Sequence, residues 1–469
     1  MRTVFHKIYL SAGCMVAFGA CNLVNVTDVE PVNKIFEENA ITTVQKAQSV
    51  LYGCYGQLKG VEYLTYFGGD AALLGLTMKP GPSAGTEKAY FDNDVKPDDY
   101  HVDNLYTASY KILNNAAHII DKTSKLVTDD PRKEEIISEA RFIRALSHFY
   151  LLRRYGQFFK QDSKYGITLR DMPLKEVKAE PRADVKTTYD HILADLAYAA
   201  EKGPQMLDTV AGSTPSAKRL AFYATRQAAL ALKAKVHLYK REYAEAAVAA
   251  EAVIKSGKFK LENEYADIFT KKIIGTQEVL FQLPFDDKQD RNNKAFMYRA
   301  YYLPSDYYVN LMKTDKRYNA AIAVLLPSGA IRNNKFNGSS FNGQTLTADT
   351  EYFLRLDEIY LILAEAKARL GQTDEALKAL NAIRRRARMP EISGFSGAAL
   401  LESIRIEKIL ELGAESGEDW YDLIRYATEG NLKVSDYKPN VQHENRYILP
   451  LPLATVRLSN DVTEQNPGY

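Results

Sequence analysis

The sequence predicts a mostly α-helical protein: a scaffold of about four degenerate helical hairpins of the tetratricopeptide kind, carrying a loop-rich, partly irregular half. Three observations carry that expectation. Apolar residues recur at helical spacing over long stretches. A helix–turn–helix unit with small residues on its inner face recurs within the chain. Long segments rich in turn residues and tyrosine separate the helical stretches, and such segments in a folded chain are usually functional.

The elements follow in order. A first helix is predicted from about Thr42 to Gln57. Residues 60–101 read as loop, because Gly68-Gly69, Pro80-Gly81-Pro82 and Pro97 break any period. A helix over Asp103–Thr123 places Leu105, Ile112, Ala116, Ile119 and Ile120 on one face. A longer one over Arg132–Tyr155 carries Ile136, Ala140, Ile143, Leu146 and Phe149 and stops at Gly156. Pro173 and Pro181 mark a connector, and a helix follows from about Asp184 to Lys202.

Ala229–Ile254 reads as helix, short turn, helix, and Tyr360–Arg384 repeats it, with Glu245-Ala246 matched by Glu375-Ala376. Small residues such as Ala234, Ala247, Ala364 and Ala376 let the paired helices approach closely. The expected pairs are thus about 103–155, 184–239, 225–256 and 353–389 within one domain spanning 41–469. The inserts are 60–101, 204–216, 258–349 and 427–469. Two of them hold strand-like runs, Glu278–Leu283 and Tyr447–Pro452.

The first forty residues have a different logic. Arg2 and Lys7 precede an apolar stretch, Ile8–Phe18, that is far short of the roughly 20 residues a spanning helix needs. Small residues Gly19 and Ala20 then lead to Cys21, the layout of a lipoprotein signal peptide over 1–20. Cleavage there leaves the Cys21 thiol to carry lipid, at about 0.8 kcal/mol per buried CH₂. Cys14 is the weaker cleavage position, because the apolar run before it is too short. Residues 21–40 are a tether. Only Cys54 then remains as a thiol, so no disulfide staples the mature chain, and Cys54 reads as a small buried side chain. A net charge of +2 argues against a nucleic-acid-binding surface. Aromatic use is skewed to 31 Tyr and 19 Phe against one Trp, more tyrosine than a helical core needs.

Several segments together resemble the SusD/RagB family of Bacteroidetes outer-membrane lipoproteins. They are Ser138–Ala145 with Tyr150, Arg154, Tyr155 and Gly156; Phe353–Leu361 with Ala364-Glu365-Ala366; and Leu380–Arg384 with Arg386. Ile404-Arg405, Glu407, Glu411-Leu412, Glu415, Trp420 and Asp422–Arg425 follow, then Leu449–Pro452 and the ending Gln465–Tyr469. Two departures stand out: Lys408 and Asp419 occupy positions where the family usually has Arg, which implies a rearranged salt-bridge network beside Trp420. The resemblance implies a tetratricopeptide-like scaffold anchored in the outer membrane at the cell surface. It also implies a partner, a SusC-like TonB-dependent transporter, and a glycan or sometimes a peptide bound without chemistry.

The residues themselves offer little catalysis. Glu407, Glu411 and Glu415 lie on one helix face, where a membrane-anchored hydrolase would need two carboxylates about 5–10 Å apart. Arg405, Lys408 and Arg425 are nearer partners, so the ladder reads as structural. Seven scattered His make no zinc pattern, and no cofactor motif occurs. Asp92, Asn93, Asp94, Asp98 and Asp99 could hold calcium but lack the glycine and closing glutamate of an EF-hand, so the expectation is a solvated acidic loop and no cofactor, with a loop calcium as the alternative. Sugar recognition needs flat rings beside carboxamides, carboxylates or guanidinium groups. Loop placement therefore nominates Tyr63, Tyr66, Phe67, Tyr90, Phe91, Tyr100, Asn292, Asn293, Tyr298, Tyr301 and Tyr302 as ligand contacts. A peptide would use the same groups. A tetratricopeptide assembly scaffold without a small ligand is the remaining alternative.

Overall fold

The computed structural model describes residues 40–174, 176, 178–205, 220–270, 277–283, 294–325, 327–336, 340–341, 344–345 and 349–469. Cys14, the lipid-attachment residue Cys21, the signal segment, the tether up to residue 39, most of the 204–216 insert, Asn292 and Asn293 lie outside the described residues. Ile41–Tyr469 form one compact unit.

Thr43 is extended and accepts the backbone N–H of Lys46 on its hydroxyl, and helix α1 (Val44–Gln57) starts there. A π-helical turn, Glu62–Tyr66, runs straight into α2 (Phe67–Leu74). Strand β1 (Met78–Pro80) and the short α3 (Glu87–Phe91) follow. The 60–101 insert is thus substantially helical rather than loop. Its Gly68-Gly69 pair serves packing: a Cβ at Gly69 would sit 2.6 Å from the Tyr302 ring, and one at Gly68 would sit 2.7 Å from the Glu415 carbonyl.

The expected hairpins come next. Asp99 caps α4 (Tyr100–Ser124), which packs on α5 (Arg132–Tyr155). Asp184 caps α6 (Val185–Lys202) and Thr225 caps α7 (Arg226–Tyr239), which pairs with α8 (Tyr243–Lys255). Helix α5 is buried along most of its length because α4 and α6 cover it on two sides. Its charges are therefore paired: Arg144 grips Asp195 of α6 through Nε at 2.7 Å and Nη2 at 2.8 Å.

The 258–349 insert contributes α9 (Tyr265–Thr270), β2 (Val279–Gln282), α10 (Lys294–Ala300), β3 (Tyr302–Pro304), α11 (Asp306–Met312) and α12 (Tyr318–Ala321). Strands β4 (Ile322–Leu325), β5 (Ala330–Asn333), β6 (Ser340–Phe341) and β7 (Gln344–Thr345) follow, then β8 (Tyr352–Arg355). The strands form antiparallel pairs, β1 with β3, β2 with β8, β4 with β5 and β6 with β7. The first pair sets Lys79 opposite Leu303. Of the two strand-like runs, Val279–Gln282 is a strand, while 447–452 is not.

The chain ends with the hairpin α13 (Leu356–Arg369) and α14 (Thr373–Arg386), then α15 (Gly397–Leu412), α16 (Glu418–Thr428) and α17 (Leu453–Leu458). Leu361, Ala364, Ala376, Leu380, Ile383, Leu400 and Ile404 fill one core among α13, α14 and α15. Gly417 opens α16 at φ +71°, and a Cβ there would fall 2.4 Å from the Ala71 backbone. Cys54 is buried as expected, and burial pushes its thiol up to about 12. No helix among the described residues is long and apolar enough to cross a membrane.

Candidate functional site

A cleft of about 580 Å³ opens where three distant segments meet: the end of α2 with β1, the start of α11, and residues 436–440. That volume is within the roughly 300–1,000 Å³ of small-molecule sites. Phe91, Tyr307 and Tyr437 supply ring surface, and Lys79, Asp306, Asp436 and Asn440 supply polar groups. Lys79 Nζ lies 2.7 Å from Asp306 Oδ1, which sets a cation and a carboxylate side by side at the rim.

The walls are fixed from behind. Lys438 is buried, and its Nζ donates to the carbonyls of Phe91 at 2.7 Å, Gly75 at 3.3 Å and Leu73 at 3.4 Å, tying residues 436–440 to the ends of α2 and α3. Burial pushes this ammonium down to about 8. Arg405, also buried, donates through Nη2 to the Tyr437 hydroxyl at 3.1 Å and lies over its ring, while two bonds to Glu402 hold the guanidinium in place. The Ser305 hydroxyl accepts the Tyr308 N–H at 3.1 Å, so α11 begins at the cleft wall, and the Ser305 N–H donates to the Thr77 carbonyl at 3.0 Å.

Asp419 completes the frame. Its carboxylate accepts the Leu76 N–H at 2.5 Å, the Thr77 N–H at 3.2 Å and the Thr77 hydroxyl at 3.2 Å, which holds the strip entering β1. Asp419 is therefore a carboxylate clamp on the cleft wall. Beside Trp420 the ion pairs are Arg153 with Glu418 at 2.7 Å, Lys408 with Asp422 at 2.7 Å and Arg425 with Glu365 at 2.8 Å. Burial outweighs the hydrogen bonds to Asp419 and pushes its carboxyl up to about 6. That value exceeds the unfolded one of about 3.9, so this group's stabilisation is complete below about pH 4 and is lost as pH rises through 6. Urea unfolding of Asp419→Asn against the parent between pH 4 and 7 is expected to show this slope, worth about 2–3 kcal/mol, removed in the variant.

The nominated aromatics divide sharply. Phe91 lines the cleft and is 36% exposed. Tyr66 and Tyr301 are half-buried and Tyr100 is exposed, all three outside the cleft lining. Tyr63, Phe67, Tyr90, Tyr298 and Tyr302 are buried, which corrects their nomination as ligand contacts. Each buried tyrosine has an internal acceptor or partner for its hydroxyl: Ser109 for Tyr63, Asp99 for Tyr90, the Glu415 carbonyl for Tyr298 and Asp70 for Tyr302. Phe67 stacks on Tyr63 and meets Tyr150 edge-on. Sequence reasoning missed Asp306 and 436–440, which lie far apart in the chain and carry no local pattern. Tyr307 was visible only as one of a tyrosine-rich stretch.

The carboxylate ladder is interior. Glu407 pairs with Arg317 at 2.8 Å and Arg384 at 2.7 Å, Glu411 with Arg317 at 2.6 Å and with Arg386, and Glu415 with Lys335 at 2.7 Å. Glu278, Asp357 and Glu411 converge, with Arg386 reaching all three. In the calcium-like loop Asp99 is spent on the α4 cap and the Tyr90 hydroxyl, and Asp94 pairs with Lys96 at 2.7 Å.

Residues 326–469 match the model of the SusD family, and residues 82–238 match a family described as starch-binding associating with outer membrane. SusD-like protein P38 of Formosa agariphila is 25% identical over 531 residues, covering 99% of both chains. A solved SusD superfamily protein from Bacteroides thetaiotaomicron superposes with a TM-score of 0.76 at 23% identity, over 91% of this chain and 100% of that one. A laminarin-binding SusD-like protein does so with a TM-score of 0.73 at 18% identity, over 91% of this chain and 99% of that one. Two family models that together span more than half the chain, a full-length relative and a shared mostly helical fold lead to one conclusion: this chain belongs to the SusD/RagB family.

Proposed function

We propose that this chain is a surface-exposed glycan-binding lipoprotein, anchored through Cys21 in the outer membrane, that passes captured oligosaccharide to a SusC-like TonB-dependent transporter. The observation that carries the binding step is the cleft. Phe91, Tyr307 and Tyr437 offer faces for the C–H surface of a sugar, and Lys79, Asp306, Asp436 and Asn440 offer donors and acceptors for its hydroxyls. The family description that names starch binding and the outer membrane, with the laminarin-binding neighbour, supports sugar as cargo and the envelope as location. The signal layout ending at Cys21 supports the anchor.

Binding here proceeds without bond cleavage. Glu407, Glu411 and Glu415 are each held by buried arginine or lysine and are not on the cleft, so this ladder does not face a ligand there. Isothermal titration of the mature chain against neutral oligosaccharides and peptides, with product analysis of each mixture, tests the reading. The expected result is saturable binding of at least one oligosaccharide, recovered intact. Released product would sink it, and binding confined to peptides would replace it with peptide capture.

A further inference from the structure

Away from the cleft, Tyr66 and Tyr100 form an aromatic shelf built outward from the interior. Tyr66 ends the π-helical turn and Tyr100 begins α4. Their rings meet at 87° with centroids 6.3 Å apart. The inner side of Tyr66 lies flat on the imidazole of His101, with centroids 3.7 Å apart. His101 is buried, with Nδ1 3.0 Å from Asp70 Oδ2, and Asp70 Oδ1 accepts the Tyr302 hydroxyl at 2.9 Å. The shelf is thereby held by a chain of core contacts, while Tyr100 itself remains 54% exposed.

A second cavity, of about 270 Å³, is lined by Glu62, Asp103, Asn104, Thr107 and Lys111 among others, and its Glu62 carboxylate is close enough to act on the Tyr66 phenol. Glu62 lies one turn before Tyr66, and Asp103 and Asn104 lie one turn after Tyr100, so rings and polar groups share a face. We propose that the Tyr66–Tyr100 shelf with Glu62, Asp103 and Asn104 is a second carbohydrate site, which takes a neutral or amino-bearing sugar ring and excludes uronates and sulfate esters. The proposal rests on the glycan-binding reading and adds to it a location and a charge rule.

Stacking comes from the exposed ring face, and the carboxylates and carboxamide accept or donate to hydroxyls. The charge rule follows from what surrounds the rings. Glu62 and Asp103 line the cavity, and Asp70, Glu87 and Asp99 act on the two rings, against Lys111 and the His101–Asp70 pair. Burial first, then the Asp70, Glu62 and Glu87 carboxylates, push the Tyr66 phenol up, consistent with a negative local field. Tyr100 is pushed up to about 12 by burial, then by Tyr66, Glu87, Asp70 and Asp99. An anionic sugar would enter against that field, and an ammonium would be drawn by both the field and the ring faces.

Affinity electrophoresis of the mature chain in neutral, amino-bearing and uronate polysaccharides tests this, with Tyr100→Ala, Tyr66→Ala/Tyr100→Ala and Glu62→Gln/Asp103→Asn beside a cleft variant, Phe91→Ala/Asp306→Asn. Loss of the shelf rings is expected to weaken retention by a neutral or amino-bearing polymer about tenfold. The cleft variant should keep that residual shelf binding, and the Glu62→Gln/Asp103→Asn variant should lose its discrimination against the uronate. Tyr100→Ala, changing an exposed ring, keeps the test independent of folding. Shelf variants that retain every polymer as the parent does would overturn the second site while leaving glycan capture by the cleft intact. A parent chain that binds no glycan would instead remove the reading on which it rests.

Discussion

Glu411→Gln is expected to cost about 3–5 kcal/mol of stability and to alter no reaction, because it breaks a buried ion network rather than a catalytic group. Glu411 is fully buried, with Oε2 2.6 Å from Arg317 Nη1 and Oε1 on Arg386 Nη2. Arg317 also serves Asp315 at 2.8 Å and Glu407 at 2.8 Å, so neutralising Glu411 leaves two interior guanidinium groups short of charge. Lys335 adds a cation that donates to the Glu411 carbonyl at 3.0 Å and the Glu415 carboxylate at 2.7 Å. Burial acts to raise the Glu411 carboxyl, but Arg386 and then Arg317 outweigh it and hold the group well below the usual carboxylate range.

The pH consequence has a definite sign. A carboxyl depressed in the folded state stabilises above its unfolded value of about 4.3, and that contribution is lost as pH falls through the folded one. Chemical denaturation at pH 7 should therefore show a large deficit in the Gln variant, shrinking as pH is lowered. An undiminished melting curve together with loss of a hydrolytic activity present in the parent would return the ladder to catalysis.

The same buried charges explain what could be read in advance and what could not. Helices whose apolar stripes repeat at the helical period were legible, and Arg132–Tyr155 begins and ends where its pattern and Gly156 place it. Asp184, from which a helix is expected, is also the residue that caps it, by accepting the Thr187 N–H. Gly68-Gly69 misled, because a glycine pair signals a turn locally, whereas these two are kept small by Tyr302 and Glu415 from remote segments. The loop tyrosines misled for a related reason. A tyrosine is stable inside once its hydroxyl has a partner, and Asp70, Asp99 and Ser109 provide that for Tyr302, Tyr90 and Tyr63. Phe91 was reachable from loop placement, but Asp306 and residues 436–440 join it only through tertiary ties such as Lys438. Asp419 was visible as a departure from the family pattern, yet its acceptance of the Leu76 and Thr77 amides depends on a contact between distant parts of the chain.

Phe91→Ala/Asp306→Asn is the change expected to reduce glycan affinity most, by about a hundredfold for an oligosaccharide seated in the cleft. The estimate combines a lost stacking surface of about 0.5–1.5 kcal/mol with a lost charged acceptor worth about 1.5–3 kcal/mol, at about 1.4 kcal/mol per tenfold. Folding should hardly register the change. The Asp306 carboxylate is well exposed and its pair with Lys79 is worth about 0–1 kcal/mol. Phe91 is partly exposed, and although the Lys438 ammonium lies over its ring at 4.7 Å from the centroid, the same ammonium also holds the Phe91 backbone carbonyl, and that tie survives truncation to Ala. Titration of parent and variant with the same oligosaccharide, alongside their unfolding curves, separates recognition from folding. Equal dissociation constants would place sugar capture elsewhere on the molecule. A weakened variant with an unchanged unfolding curve would mean that the 580 Å³ cleft binds ligand through exposed groups which the buried Lys438, Arg405 and Asp419 hold in position.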